Sequence, residues 1–461
     1  MMLADDHAAH ALSCYGSTLN TTPHLDRIAT EGMRFDNCFC TNSICTPSRA
    51  TILTGTYSHV NGVTTLATFF DARQETFASL LGDAGYRTAV IGKWHLGHGG
   101  IHDPLGFDHW EVLPDQGAYN DPELLSAQGS RVVEGYTTTV LTDLALDWLD
   151  HTDPDRPFLL LLHHKAPHRP WVPDTAHATL FDDVDLPLPP TFDDDYRNRA
   201  RAARQARMRI DRDLNLEDLK AAPPRGLSAA EAKRWRYQRY MRDYLRCVAS
   251  IDDNTGRVLD WLDATGNAGD TVVIYSSDQG FFLGDHGWYD KRFMYEESLR
   301  MPLLVRWPGI IAPGSSNDDL ALNADIAPTL LEAAGSAPTP RMQGRSLLPL
   351  LTGDRPGDWR TSLYYRYWMH LDPSHRVEAH AGVRTHDRKL VYYYGDGCDQ
   401  PGSSDETLPP EWELFDLDTD PYELRSVHDD PAYADDATRL RDELRRLIEV
   451  FGDDLHVPSD P

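Results

Sequence analysis

Apolar residues in this chain gather in short runs, and four of those runs give way abruptly to polar residues. Residues 1–4 lead into Asp5-Asp6-His7, and residues 86–91 into Gly92-Lys93-Trp94-His95. Residues 158–162 lead into His163-His164-Lys165-Ala166-Pro167-His168, and residues 271–276 into Ser277-Asp278-Gln279-Gly280. Such runs suit parallel strands buried on both faces. Between them, apolar positions return at helical spacing over 76–84, 137–149 and 235–262, with a further helix over 323–334. Strands alternating with helices predict an α/β fold: a doubly wound, mostly parallel sheet flanked by helices. Ligands in such sheets bind beyond the carboxyl ends of the strands. All four polar clusters fall there, so they are expected to form one site.

A fifth stretch, Cys45-Thr46-Pro47-Ser48-Arg49, reads as a helix start. Thr46 suits the N-cap and Pro47 the first helical position, with Gly55 closing the helix. Cys45 is then placed just outside the N-terminus, where free N–H groups favour an anion. Arg49 is about one turn on and can point back to the same end. Taken alone, Cys45 reads equally as a small buried residue. Asp5, Asp6, Asp278 and Gln279 offer oxygen donors only, a hard set that suits calcium or magnesium over zinc. Adjacent acids such as Asp5-Asp6 are also common turn formers.

Residues 174–228 are rich in Pro, Asp and Arg with weak periodicity, which predicts a surface insertion beside a cleft. The pattern changes after residue 355. Short strands of antiparallel type are predicted over 362–369, 381–384, 389–394 and 413–416, then a helix over 435–451 and a polar tail over 452–461. Two units follow: 1–355 as the α/β domain, and 356–461 as a smaller C-terminal α+β subdomain on an antiparallel sheet.

Composition narrows the partners. With 44 basic and 72 acidic residues the net charge is −28, which argues against nucleic acid. An anionic substrate then needs local cations, or a bound metal, to reverse the field at the site. No apolar run approaches the roughly 20 residues needed to span a membrane. The cysteines Cys14, Cys38, Cys40, Cys45, Cys247 and Cys398 form neither a zinc-type pair of pairs nor a disulfide framework.

The run 45–49 resembles the sulfatase signature Cys-x-Pro-x-Arg. Gly-Lys-Trp-His-Leu-Gly at 92–97, Pro-His-Arg-Pro at 167–170 and the stretch 278–297 resemble the same family, in the same order. The resemblance implies an alkaline-phosphatase-like fold and a sulfuric ester hydrolase. It implies that a formylglycine-generating enzyme oxidises Cys45 to formylglycine, whose hydrated form attacks sulfur. It implies a divalent metal, usually Ca2+ with Mg2+ as the alternative, on Asp5, Asp6, Asp278, Gln279 and the modified Cys45. Gln279 stands where many relatives have Asn. By the same resemblance, Arg49 helps hold the attacking hydroxyl, Lys93 and Lys291 contact the sulfate, His95 supports the formylglycine hydroxyl, and His168 protonates the leaving oxygen. His286 is implied to bind sulfate or substrate.

Residues 364–394 look like the C-terminal part of glycan sulfatases acting on N-acetylglucosamine 6-sulfate. That points to a sulfated glycan as substrate, with His370, His375 and His380 on its side of the site. The tyrosines of this region read equally as sheet residues alternating between core and surface. Two other functions stay open: a phosphonate or phosphate monoester hydrolase of the same superfamily, and a non-catalytic glycan-binding protein if Cys45 is unmodified. Sulfatase-like chains usually carry a full apolar strand before the Asp-Asp pair, and here it is a stub without a signal peptide. As the sequence stands this predicts a cytoplasmic protein, or a secreted or periplasmic one if the start is truncated. Oligomeric state is not legible.

Overall fold

The computed structural model describes residues 1–458. Its main sheet, among the described residues, has ten strands. In chain order they are β1 (Met2–Ala4), β2 (Met33–Phe35), β3 (Arg87–Lys93), β4 (His109–Leu113), β5 (Glu123–Ser126), β6 (Gly129–Val132), β7 (Phe158–His163), β8 (Val273–Ser277), β9 (Leu303–Arg306) and β10 (Ser315–Asn317). The spatial order is β10-β2-β9-β8-β1-β7-β3-β4-β5-β6. The five central strands, β8 to β4, run parallel, and antiparallel pairs join them to the edges. This is the mostly parallel, helix-flanked sheet that the strand–helix alternation predicts.

The stub at the start is the sheet's middle strand. Met2 pairs with Leu162 on one side and Tyr275 on the other, and Leu3 pairs with His163 and Ser276. Met2, Leu3 and Ala4 are all buried, and each large side chain there contributes about 1.5–3 kcal/mol by leaving water. Both of its neighbours are longer and wall it in.

Alternation along the strands sorts the two faces. Leu160 and Leu162 pack into the core beneath helices α4 (Thr137–Asp150) and α5 (Ala229–Ala264). Leu159 and Leu161 pack with α2 (Cys45–Thr54), α3 (Phe77–Asp83) and α6 (Ile326–Ala333), while α1 (Pro23–Thr30) lies against α5. Helix α5 begins earlier than its apolar spacing suggests, because Ser228 and Glu231 form a capping box ahead of the periodic part.

The C-terminal sheet consists of β11 (Ser362–Tyr367), β12 (His380–Thr385), β13 (Arg388–Tyr393) and β14 (Glu411–Asp416), all antiparallel. Helix α7 (Ala434–Phe451) packs on it. Core–surface alternation fails here: Tyr364, Tyr365 and Tyr367 are all buried. Tyr365 reaches the main domain, donating to the Arg292 carbonyl at 2.7 Å, while Tyr364 points the other way to Asp453 at 2.8 Å. The expected tail is therefore anchored at its start, where Asp453 pairs with Arg366; its last three residues lie outside the described part. Segment 174–228 is not a simple surface insertion either. It buries Phe192, Tyr196, Met208 and Ile210, and it joins the C-terminal sheet through the Ala200 N–H on Glu413.

Candidate active site

Helix α2 aims its N-terminus at the carboxyl ends of the central strands. Cys45 is the first helical residue and not an outlier ahead of it, and the N-cap is Ile44 in extended conformation. Thr46 does not cap, since its hydroxyl lies 3.4 Å from His95 Nδ1. At the other end Gly55 takes the left-handed conformation and its N–H donates to the Thr51 carbonyl at 2.8 Å. Every residue of α2 is buried, which fixes the helix as a rigid support.

Cys45 faces Lys93, Lys291, Asp5 and Asp278. Burial pushes its thiol above the ordinary range despite the two lysines. A cysteine here is a neutral thiol, which is a poor nucleophile. Arg49 lies one turn along the helix. Its Nε and Nη2 are each 3.0 Å from Asp278 Oδ2, its Nη2 is 3.6 Å from Asp5, and its Nη1 donates to the Lys93 carbonyl at 2.9 Å. Lys93, at the end of β3, pairs with Asp5. Lys291 lies 2.6 and 2.7 Å from the two carboxylate oxygens of Asp6. Asp6 has a positive φ of 71°, and its carbonyl is held by the Tyr244 hydroxyl at 2.8 Å. Ser48 donates to the Asp278 carbonyl and accepts from Asn323 at 2.9 Å, which ties α2 to the end of β8.

Asp5 Oδ1 and Gln279 Oε1 are buried and have no hydrogen-bond partner. Gln279 turns its amide NH2 to Asp6, which leaves the carbonyl oxygen free. Burial and the charge of Asp5 push Asp278 up to about 7, and burial pushes Asp6 up to about 6 against Lys291. Asp5 itself stays low in spite of burial, through Lys93, His168 and Arg49. Three buried carboxylates thus compete for the available positive charge, and two oxygens, Asp5 Oδ1 and Gln279 Oε1, accept no hydrogen bond from the described residues. The residues fit a hard divalent cation.

His168 follows β7. Its Nδ1 lies 2.8 Å from the Arg169 carbonyl and its Nε2 3.8 Å from Asp6. The hydrogen bond at Nδ1 leaves Nε2 as the atom that faces the site. Burial and Lys93 lower its pKa well below the usual histidine range. His95 sits at the rim with a φ of 54°, its Nε2 3.3 Å from Gln116 Nε2. Gln116 also accepts from Lys93. It follows β4, where His109 and Glu111 break the apolar pattern, so no apolar run marked it in the sequence. Lys165 was legible only as part of the polar cluster after β7. It is buried with its ammonium 4.9 Å over the Tyr119 ring, and burial with Lys93 lowers its pKa to about 8.

The expected substrate-side histidines separate. His375 reaches the Lys291 loop, with Nε2 3.4 Å from Asp290 and from Arg292 Nη2. His286 does not face the cleft. It is fully buried among Phe282, Trp288 and Tyr295, with Nδ1 2.9 Å from Asp194. His380 is buried among Tyr365, Tyr367 and Tyr393. His370 is a loop pin: its Nδ1 accepts from Ala379 at 3.1 Å and its Nε2 donates to the Glu406 carbonyl at 3.0 Å. These three are packing residues because strand and turn geometry directs their rings into aromatic or backbone surroundings.

Comparison with known proteins gives the family. Residues 1–336 match the family model described as Sulfatase, and residues 284–450 match one described as N-sulphoglucosamine sulphohydrolase, C-terminal. The chain is 42% identical to an N-acetylglucosamine-6-O-sulfatase of Bacteroides thetaiotaomicron, over 97% of this chain and 85% of that one. It is 31% identical to the human N-acetylglucosamine-6-sulfatase, over 73% of this chain and 61% of that one. It is similar in structure to a protein solved in complex with its substrate D-glucosamine-2-N,6-O-disulfate, with a TM-score of 0.90, 39% identity and 98% of both chains covered.

Proposed function

The chain belongs to the sulfatase family, and on that premise we propose that it removes the 6-O-sulfate of N-acetylglucosamine or a closely related glucosamine unit of a glycan. The relatives that act on such sugars support the substrate. The observation that carries the reaction is the meeting of Arg49, Lys93 and Lys291 with Asp5, Asp6 and Asp278 around the start of α2. It supports sulfate-ester cleavage over plain glycan binding, because a binding site has no use for three buried carboxylates beside an anion.

Asp5, Asp6, Asp278 and Gln279 would hold the divalent cation, with Ca2+ the expected ion. When bound, it offsets charge on the sulfate and lowers the pKa of the attacking hydroxyl, which formylglycine made from Cys45 supplies. The neutral thiol of unmodified Cys45 supports the need for that conversion, and a formylglycine-generating enzyme is the implied maturation partner. Lys93 and Lys291 neutralise the sulfate oxygens within a water-poor site, where fixed charges act strongly. Arg49 holds Asp278 in place and adds charge at the same point. His168 turns Nε2 to the site; its Nδ1–H is engaged by the Arg169 carbonyl, so Nε2 must first take up a proton, with Asp6 3.8 Å away to stabilise the imidazolium, before it can pass one to the departing sugar oxygen. His95, with Gln116 behind it, is placed beside the start of α2 to take a proton from the second hydroxyl.

The test is sulfate release from sulfated monosaccharides by protein whose Cys45 state is known from peptide mass, with Cys45→Ser as control. Turnover of N-acetylglucosamine 6-sulfate and none of a 2-sulfated uronate is expected. Preference for the uronate, or for a phosphonate monoester, overturns the reading.

A further inference from the structure

The loop that carries His168 is pinned by a residue remote from it in sequence. Tyr119, between β4 and β5, donates its hydroxyl to the His168 carbonyl at 2.6 Å. Tyr119 is itself buried and held. Its carbonyl accepts from the N–H of Thr137, the first residue of α4, at 2.8 Å, and the Thr137 hydroxyl donates to the Ala118 carbonyl at 2.7 Å. Its ring stacks on that of Tyr136 at 6.0 Å, and the Lys165 ammonium stands 4.9 Å over it. Tyr136 in turn donates to the Val172 carbonyl at 3.0 Å. The two tyrosines therefore fasten the loop before and after Arg169.

The Tyr119 bond reaches the histidine ring through one peptide unit. The His168 carbonyl belongs to the peptide that joins His168 to Arg169, and that group is planar. Fixing its oxygen fixes where Arg169 begins, and so where the Arg169 carbonyl stands. This second carbonyl takes the hydrogen bond of His168 Nδ1 at 2.8 Å. With Nδ1 held there, Nε2 is the atom that stands 3.8 Å from Asp6. On its other side the His168 N–H donates to the Lys165 carbonyl at 3.1 Å. Burial pushes the Tyr119 phenol well above its ordinary range, so it stays a neutral donor.

We propose that Tyr119 is a positioning residue for His168, setting the ring so that Nε2, once protonated, faces the departing oxygen. The inference rests on the reading of His168 as the proton donor and adds what aims it. Its consequence depends on the leaving group. A sugar alkoxide leaves poorly and needs a proton as the sulfur–oxygen bond breaks, whereas a nitrophenolate leaves without one. A misaimed donor therefore slows the sugar ester and spares the aryl ester. A loss of general support for the site slows both.

Tyr119→Phe keeps the ring and removes only the hydroxyl. The experiment compares it with the wild type, His168→Ala and the double variant at matched formylglycine content, on N-acetylglucosamine 6-sulfate and on a nitrophenyl sulfate. In Tyr119→Phe, kcat on the sugar ester is expected to fall about tenfold with KM within about twofold, part of the roughly 10²–10⁴-fold that a positioned acid supplies. The aryl ester is expected to change by less than about threefold. In the His168→Ala background, removing the hydroxyl is expected to cost the sugar ester less than about twofold, because the group it acts through is gone. A tenfold loss that persists in that background, equal losses on the two esters, or an unchanged kcat overturns the positioning role alone. Wild-type turnover of the sugar ester by His168→Ala overturns the reading of His168 as donor and this inference with it.

Discussion

Arg49 and Asp278 form a two-pronged buried pair, with Nε and Nη2 each 3.0 Å from the same carboxylate oxygen. One residue comes from the first turns of α2 and the other from the end of β8. The pair therefore fixes helix α2, with Cys45 at its start, relative to the carboxylate cluster. Breaking a buried pair by removing one partner costs about 3–5 kcal/mol, since the other charge stays behind. Arg49→Ala is expected to lower stability by about that amount in denaturant unfolding. Arg49→Lys keeps the charge but not the fork. It is expected to recover part of the stability and little of kcat.

Cys45→Ser keeps the size of the side chain and cannot yield the same oxidised product by the same route. Sulfate release is expected to fall by about 10³-fold or more, as for loss of a nucleophile, while the thermal midpoint changes little. Retained activity in Cys45→Ser would remove Cys45 from the chemistry.

Gln116 joins Lys93 to His95. Gln116→Leu frees both and leaves a buried ammonium short of an acceptor. A fall of about tenfold in kcat/KM is expected, the size of one lost polar contact to a charged group, with most of it in kcat. An unchanged kcat would make Gln116 a bystander.

The strand ends were legible because burial on both faces forces continuous apolar runs, so the first polar residue marks where each strand leaves the core. Asp5, Lys93, His168 and Asp278 follow such runs and come together in the fold. His286 does not join them, although it lies five residues from Lys291. In the turn after Leu283 it adopts a φ of 56°, which sends its ring into Trp288 and Tyr295 and away from Asp6. His370 and His380 failed for a related reason: each lies beside or within a strand whose two faces are both covered, so neither parity leads to a cleft. Spacing along the chain carries no information about a left-handed turn or about what covers a sheet. The α2 boundary shifted because Thr46 has a tertiary partner in His95 that competes with capping.

Asp5 Oδ1 and Gln279 Oε1 accept no hydrogen bond from the described residues, so a cation that binds them favours the folded state. Dialysis against a chelator is expected to abolish turnover and to lower the thermal midpoint. Added Ca2+ is expected to restore both, with stabilisation rising as the logarithm of its concentration above Kd. A midpoint that ignores Ca2+ across a thousandfold range would argue against a cation at these residues.

His286 gives a pH dependence that is separate from the catalytic cluster. Burial opposes its charge, but the hydrogen bond to Asp194 and the Glu297 carboxylate 3.7 Å from Nε2 outweigh that and hold its pKa up at about 9. Its usual value in an unfolded chain is about 6.5. A group whose pKa is raised by folding contributes its full stability below the unfolded value. That contribution is lost as pH rises through the folded value, because the folded state must then give up a proton it holds tightly. The window is therefore about pH 6.5 to 9, and the loss across it is at most about 3 kcal/mol. Unfolding in urea at steps across that window is expected to show falling stability in the wild type. His286→Phe fits the aromatic surroundings of Trp288 and Tyr295 and leaves Asp194 its bond to Arg199 at 2.9 Å. The variant is expected to be less stable at pH 6.5 and to have a flatter profile toward pH 9. Parallel profiles for the two proteins would mean that His286 stays neutral in the fold.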